Sequence, residues 1–120
     1  MTRVLAIDDS RTIREMLRAA LTQGGFDVFV AEDGVEGIEK LPEVKPDVVI
    51  TDINMPRLDG FGVIETIRAE SVYAGLPILV LTTESAQELK ERARDIGATG
   101  WIVKPFDDTQ LIGTIRRVTA

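Results

Sequence analysis

The chain has 120 residues, 44% hydrophobic and 28% charged, the profile of one globular domain large enough to bury a core. Its 20 acidic against 14 basic residues leave a net charge of -6, which argues against a nucleic-acid-binding face and against docking on anionic membranes. It has no cysteine and no histidine, so disulfides, thiol catalysis, imidazole acid–base catalysis and histidine-ligated zinc are excluded.

Val4-Leu5-Ala6-Ile7 reads as a buried strand ending in Asp8-Asp9-Ser10. No signal-peptide pattern precedes it and no apolar run approaches a membrane span, so a cytoplasmic location is the expectation. Ser10 can cap a helix whose inward face is Ile13, Met16, Leu17, Ala20 and Leu21, stopped by Gly24-Gly25. Val28 to Ala31 is a second strand, ending at Glu32-Asp33-Gly34. Val35, Ile38 and Leu41 mark a weaker helix that the sequence predicts to break near Pro42 and Pro46.

Val48-Val49-Ile50 is the third strand, followed by Thr51-Asp52, a loop with Pro56, and Asp59-Gly60 as a helix start. That helix turns Phe61, Ile64 and Ile67 inward, and residues 70 to 76 read as a loop. A fourth strand, Ile78 to Leu81, ends in Thr82-Thr83. The fourth helix is expected to bury Ala86, Leu89, Ala93 and Ile96 and to stop at Gly97. Gly100 to Val103 is the fifth strand, ending in Lys104-Pro105. Asp107 or Asp108 then caps a helix with Leu111, Ile112, Ile115 and Val118 on its apolar face.

Strand and helix thus alternate five times, with unbroken apolar strands and no internal sequence repeat, linker or low-complexity segment. The pattern predicts a single α/β domain over residues 1–120, a doubly wound parallel sheet with helices on both faces and right-handed crossovers. In such a sheet ligands bind at the C-terminal strand ends, where strand order reverses. That edge collects Asp8 and Asp9, Asp52, Thr82 and Lys104.

Three carboxylates resist being gathered. Two unit charges about 4 Å apart repel by roughly 4 kcal/mol at an effective dielectric of about 20, and one lysine cannot neutralise three acids. Capping by Asp8 or Asp9 and a surface salt bridge to Lys104 would explain any one of these residues, but not the set. A hard cation held by oxygen ligands accounts for all of them, Mg²⁺ above all, with Mn²⁺ as the second choice. A metal beside a carboxylate and a lysine suggests phosphoryl chemistry, with Asp52 as nucleophile. The chain has no G-x-x-x-x-G-K-[ST] loop and no histidine, so the phosphoryl group must come from a partner or a small donor.

Asp8-Asp9, Asp52 followed by M-P-x-x-D-G, Thr82 and Lys104-Pro105 together resemble the receiver domain of two-component response regulators, along the whole chain. With no residues left over for an output domain, the resemblance is to single-domain receivers of the CheY chemotaxis type. It implies the flavodoxin/CheY-like fold, a five-stranded sheet in the order 2-1-3-4-5 with five helices. It also implies a phosphorylation switch that catalyses only its own phosphorylation and dephosphorylation, not a conventional enzyme.

The resemblance implies a role for each residue. Asp52 accepts phosphate from the phosphohistidine of a chemotaxis-type histidine kinase. Asp9 binds Mg²⁺ directly, Asp8 mostly through water, Asp52 itself is a ligand, and the main-chain carbonyl of Asn54 adds another. Lys104 holds a phosphoryl oxygen, with the Lys104-Pro105 bond cis, and Thr82 swings to bond the phosphoryl group. Trp101 holds the place of the switch aromatic, larger than the usual Tyr or Phe, so its rotation is expected to be partial. Thr83 stands where Ala is common, either narrowing access, facing solvent or capping helix four. Asn54 and Glu84 tune phosphate lifetime, although Glu84 is equally compatible with a charge favoured at a helix start. No further cofactor is implied. The implied target of this monomer is the flagellar motor switch protein; a phosphorelay intermediate or a phosphate sink would look similar. A small Mg²⁺ phosphohydrolase fits poorly, because no second acid follows Asp52 by two residues and there is no cap domain. A flavin mononucleotide carrier fits poorly too, because Asp8-Asp9 would repel its phosphate.

Overall fold

Continuous apolar runs of four or five residues suit strands covered on both faces, and the computed structural model, which describes residues 1–120, has five of them. They are β1 (Arg3–Ile7), β2 (Asp27–Ala31), β3 (Val48–Thr51), β4 (Ile78–Thr82) and β5 (Gly100–Val103). Between and after them lie α1 (Arg11–Gln23), α2 (Gly34–Val44), α3 (Gly60–Arg68), α4 (Gln87–Asp95) and α5 (Asp108–Val118). All pairings are parallel and the strand order is β2-β1-β3-β4-β5, as the resemblance implied.

The alternation of side chains along each strand divides the core in two. Val4, Ala6, Val48, Ile50, Leu79 and Leu81 pack with Leu17 and Leu21 of α1 and Leu111 and Ile115 of α5. Leu5, Ile7, Val49, Ile78 and Val80 face the other way, onto Leu41 of α2, Phe61, Ile64 and Ile67 of α3, and Ala93 of α4. Ser10 caps α1, its hydroxyl accepting from the Ile13 N–H, and Asp59 and Asp107 cap α3 and α5 in the same way.

The second helix ends at Val44, between Pro42 and Pro46, near which the sequence predicts its break. Pro42 lies inside the last turn, where a proline forfeits one hydrogen bond only, and the chain leaves the helix at Lys45 in the left-handed conformation, φ 52°. Three local expectations differ. Met16 is exposed, because the stripe of α1 that meets the sheet is narrower than its apolar stripe. Residues 70–76 contain a single 3₁₀ turn, Ser71–Tyr73. In α4, Ala86 is an exposed N-cap residue with no side-chain cap, Ala93 alone is fully buried, and Leu89 and Ile96 are half-buried. This helix lies on the sheet more lightly than its spacing suggests.

Candidate functional site

The strand order reverses between β1 and β3, so a crevice opens at their carboxyl ends. The ladders carry the chain straight into it: the Asp8 N–H donates to the Ala31 carbonyl at 3.1 Å and the Asp52 N–H to the Ile7 carbonyl at 3.0 Å. Side-chain oxygens of Asp8, Asp9 and Asp52 all come within 4.8 Å of one another. Asp8 and Asp52 are buried, whereas Asp9 is exposed at the mouth.

Lys104 arrives from the end of β5 and donates from Nζ to Asp8 Oδ2 and Asp52 Oδ2, each at 2.8 Å. The remaining oxygens of the two buried acids are held by the backbone, Asp8 Oδ1 by the Ser10 N–H at 2.9 Å and Asp52 Oδ1 by the Ile53 N–H at 2.6 Å. Arg14 of α1 donates to the Asp8 carbonyl oxygen at 2.8 Å. Beneath Asp52 the first residue of α3 must be glycine, since a Cβ on Gly60 would strike the Asp52 carbonyl oxygen.

The shared ammonium does not compensate for the burial of Asp8. Burial raises the Asp8 carboxyl above its ordinary value, against hydrogen bonds from Lys104 and Ser10, and the charge of Asp52 adds to the rise. Burial alone would lower Lys104, but Asp52 and Asp8 together outweigh it and hold the ammonium above its usual range. The donor set fits a hard divalent cation: clustered carboxylate oxygens, no sulfur or nitrogen ligand, and a residual negative charge after Lys104 is counted.

The neighbouring residues form a second constellation. Thr82, at the end of β4, is fully buried, and its hydroxyl accepts from the Glu84 N–H at 3.4 Å. The Asn54 amide donates to Glu84 Oε1 at 3.2 Å, and the Asn54 main-chain carbonyl accepts no hydrogen bond within the chain. The half-buried Trp101 donates from Nε1 to the Glu84 carbonyl at 3.0 Å. Glu84 therefore joins the loops after β3 and β4 to β5 and is not a charge on the first turn of α4, which begins at Gln87. Thr83 is exposed and makes no cap. The Lys104-Pro105 peptide is cis.

Sequence reasoning missed Arg14 and the ion pair between Arg57 and Asp33, Nε to Oδ2 at 3.0 Å. Both depend on where long side chains reach after folding, and no spacing announces them.

This chain belongs to the response regulator receiver domain family, which it matches over residues 4–116. It is a signalling domain of two-component systems, a class that is not made up of conventional enzymes. More particularly, it is similar to the chemotaxis protein CheY4 of Vibrio cholerae, with 44% identity, 98% of each chain covered and a TM-score of 0.93. Protein PilG of Pseudomonas aeruginosa is 33% identical over 95% of this chain and 84% of its own length. The response regulator MprA of Mycobacterium leprae is 41% identical over 95% of this chain, which spans only 49% of that relative. No helix is long and apolar enough to cross a membrane.

Proposed function

We propose that the chain is a phosphorylation-activated switch in which Asp52 accepts a phosphoryl group from a histidine kinase. The observation that carries this is the triad of Asp8, Asp52 and Lys104, with Nζ 2.8 Å from both carboxylates and Asp9 alongside. Asp8, Asp9, Asp52 and the free main-chain carbonyl of Asn54 would hold Mg²⁺. When bound, the ion screens the negative charge of the incoming phosphoryl oxygens.

An Asp52 oxygen forms the new O–P bond as the P–N bond of the donor phosphohistidine breaks, and the electron pair returns to the imidazole nitrogen. Lys104 stays protonated across neutral pH and moves its hydrogen bond from the Asp52 carboxylate to a phosphoryl oxygen. The Thr82 hydroxyl gives up the Glu84 N–H and donates to another. Because Glu84 also holds Trp101 and Asn54, this exchange releases the loop after β4, and with it the lightly packed α4.

Likeness to a chemotaxis protein over 98% of both chains supports a chemotaxis output, a chemotaxis-type kinase and the flagellar motor switch protein as target. The protein acts as a cytoplasmic monomer in this reading. A phosphorelay intermediate or phosphate sink would bind the kinase but be indifferent to the motor, and pull-downs with and without beryllofluoride separate these outputs.

The reading itself is tested by adding Mg²⁺ with beryllofluoride or a small phosphodonor and following the fluorescence of Trp101, the single tryptophan. The wild type is expected to respond and Asp52→Asn to be silent. A silent wild type, or an unchanged response in Asp52→Asn, removes the proposal.

A further inference from the structure

The loop between β3 and α3 carries Asn54 and ends at Asp59, and its backbone is not relaxed. Arg57 sits at φ 67°, a left-handed conformation that residues with a Cβ avoid. The guanidinium of the same residue is forked onto Asp33, Nε to Oδ2 at 3.0 Å and NH2 to Oδ1 at 3.2 Å. Asp33 is a fixed anchor: it is 7% exposed, and its Oδ1 also accepts the Glu36 N–H at 2.8 Å as the N-cap of α2. The start of α2 lies directly on the loop, because a Cβ on Gly34 would collide with the Leu58 carbonyl oxygen. At its base the loop is closed by the Gly60 N–H donating to the Ile53 carbonyl at 2.9 Å. A segment closed at its base, pinned near its tip and pressed on one side has little freedom left.

We propose that Arg57 is a positioning residue for the acid cluster, holding through Asp33 the loop backbone that presents the Asn54 carbonyl beside Asp52. This rests on the reading that the cluster takes a divalent cation. It assigns α2, which contributes no side chain to the site, the task of shaping the site from outside. The fork matters as well as the charge, since a lysine offers one point of attachment where the guanidinium offers two.

The sign of the effect separates positioning from simple electrostatics. Removing a positive charge near three acids would by Coulomb's law tighten cation binding. Losing the latch loosens it, as does losing other outer contacts that orient metal ligands.

The test uses the full chain. Mg²⁺ is titrated into chelator-treated protein and followed by Trp101 fluorescence and by the rise in melting temperature. Arg57→Ala and Arg57→Lys are each expected to weaken Mg²⁺ binding by about tenfold. Asp33→Ser, which keeps a capping hydroxyl, should weaken it equally, and Arg57→Ala should add nothing in the Asp33→Ser background. Wild-type or tighter binding in Arg57→Ala, rescue by lysine, or additive losses would each overturn the assignment. Hydrogen exchange in chelator tests the latch without any metal: the Gly60 and Leu58 amides should exchange about tenfold faster in Arg57→Ala. A wild type that binds no Mg²⁺ while these amides respond would sink the cation reading and leave the latch standing. Unchanged exchange with normal Mg²⁺ binding would do the reverse.

Discussion

Asp8 is stabilised by Lys104 and by the Ser10 amide, yet its carboxyl is raised, because burial and the charge of Asp52 outweigh both donors. The consequence for stability follows from linkage. A carboxyl whose folded value lies above its ordinary 3.8 takes up its proton more readily when folded. Its contribution is therefore fully present below about pH 3.8 and is lost as pH rises through the elevated folded value. In chelator at neutral pH, Asp8→Asn should melt higher than the wild type, and the gap should close as pH falls through that window. Thermal melts of both proteins from pH 7 down to pH 4 check this; a gap that widened on acidification would reverse the assigned sign. Gly60 acts at the same scale. Gly60→Ala should destabilise by about 1–3 kcal/mol through the clash with the Asp52 carbonyl. It should also slow phosphorylation of Asp52 beyond what lost stability explains, measured with a small phosphodonor well below the melting temperature.

Helices α1, α3 and α5 each begin with a side-chain cap and bury two or more residues, whereas α4 has no cap and one fully buried residue. Its other anchors are peripheral. The Arg92 guanidinium lies 3.9 Å from the centroid of the Phe61 ring, and Arg68 donates from Nε to the Gly97 carbonyl at 2.9 Å, just past its C-terminus. The N-terminal end, next to Thr82 and Glu84, is the free one. Ala86→Ser, which restores a capping hydroxyl, should stabilise the protein by about 0.5–1 kcal/mol in a denaturant titration. It should also slow amide exchange in the first turn of α4 while leaving the exchange of β4 unchanged. Equal slowing along the whole chain would mean that α4 is not a separately opening element.

For the whole molecule, the acid cluster makes stability depend on a bound ion. A cation that binds only the folded site stabilises by about 1.4 kcal/mol at tenfold its dissociation constant, a rise of about 5 °C in melting temperature for a domain of this size. Mg²⁺ should produce this rise in the wild type and a much smaller one in Asp9→Asn, by differential scanning fluorimetry at constant ionic strength. Identical rises in both would assign the effect to general screening.

Chain order alone was enough to read the strands, the parallel α/β class and all five helices, because unbroken apolar runs, capping residues and glycine stops are local signals. The edge where Asp8, Asp9, Asp52, Thr82 and Lys104 would converge was legible for the same reason: every one of them lies within two residues of the end of an apolar run. Strand order was not readable from the runs themselves and entered through resemblance. The division of the helices between the two faces of the sheet was not readable from the runs either, since with right-handed crossovers it depends on the strand order, which sets the direction in which each crossover moves along the sheet. Local pattern also overstated the packing of α4, which keeps one fully buried residue. Contacts between distant residues lay beyond it altogether. Lys104 meets Asp8 across 96 positions, and Arg57 meets Asp33 across 24. Hydrophobic periodicity and caps act over a few residues and are written in order along the chain, whereas the reach of a long charged side chain is settled by the backbone that the fold has already brought beside it.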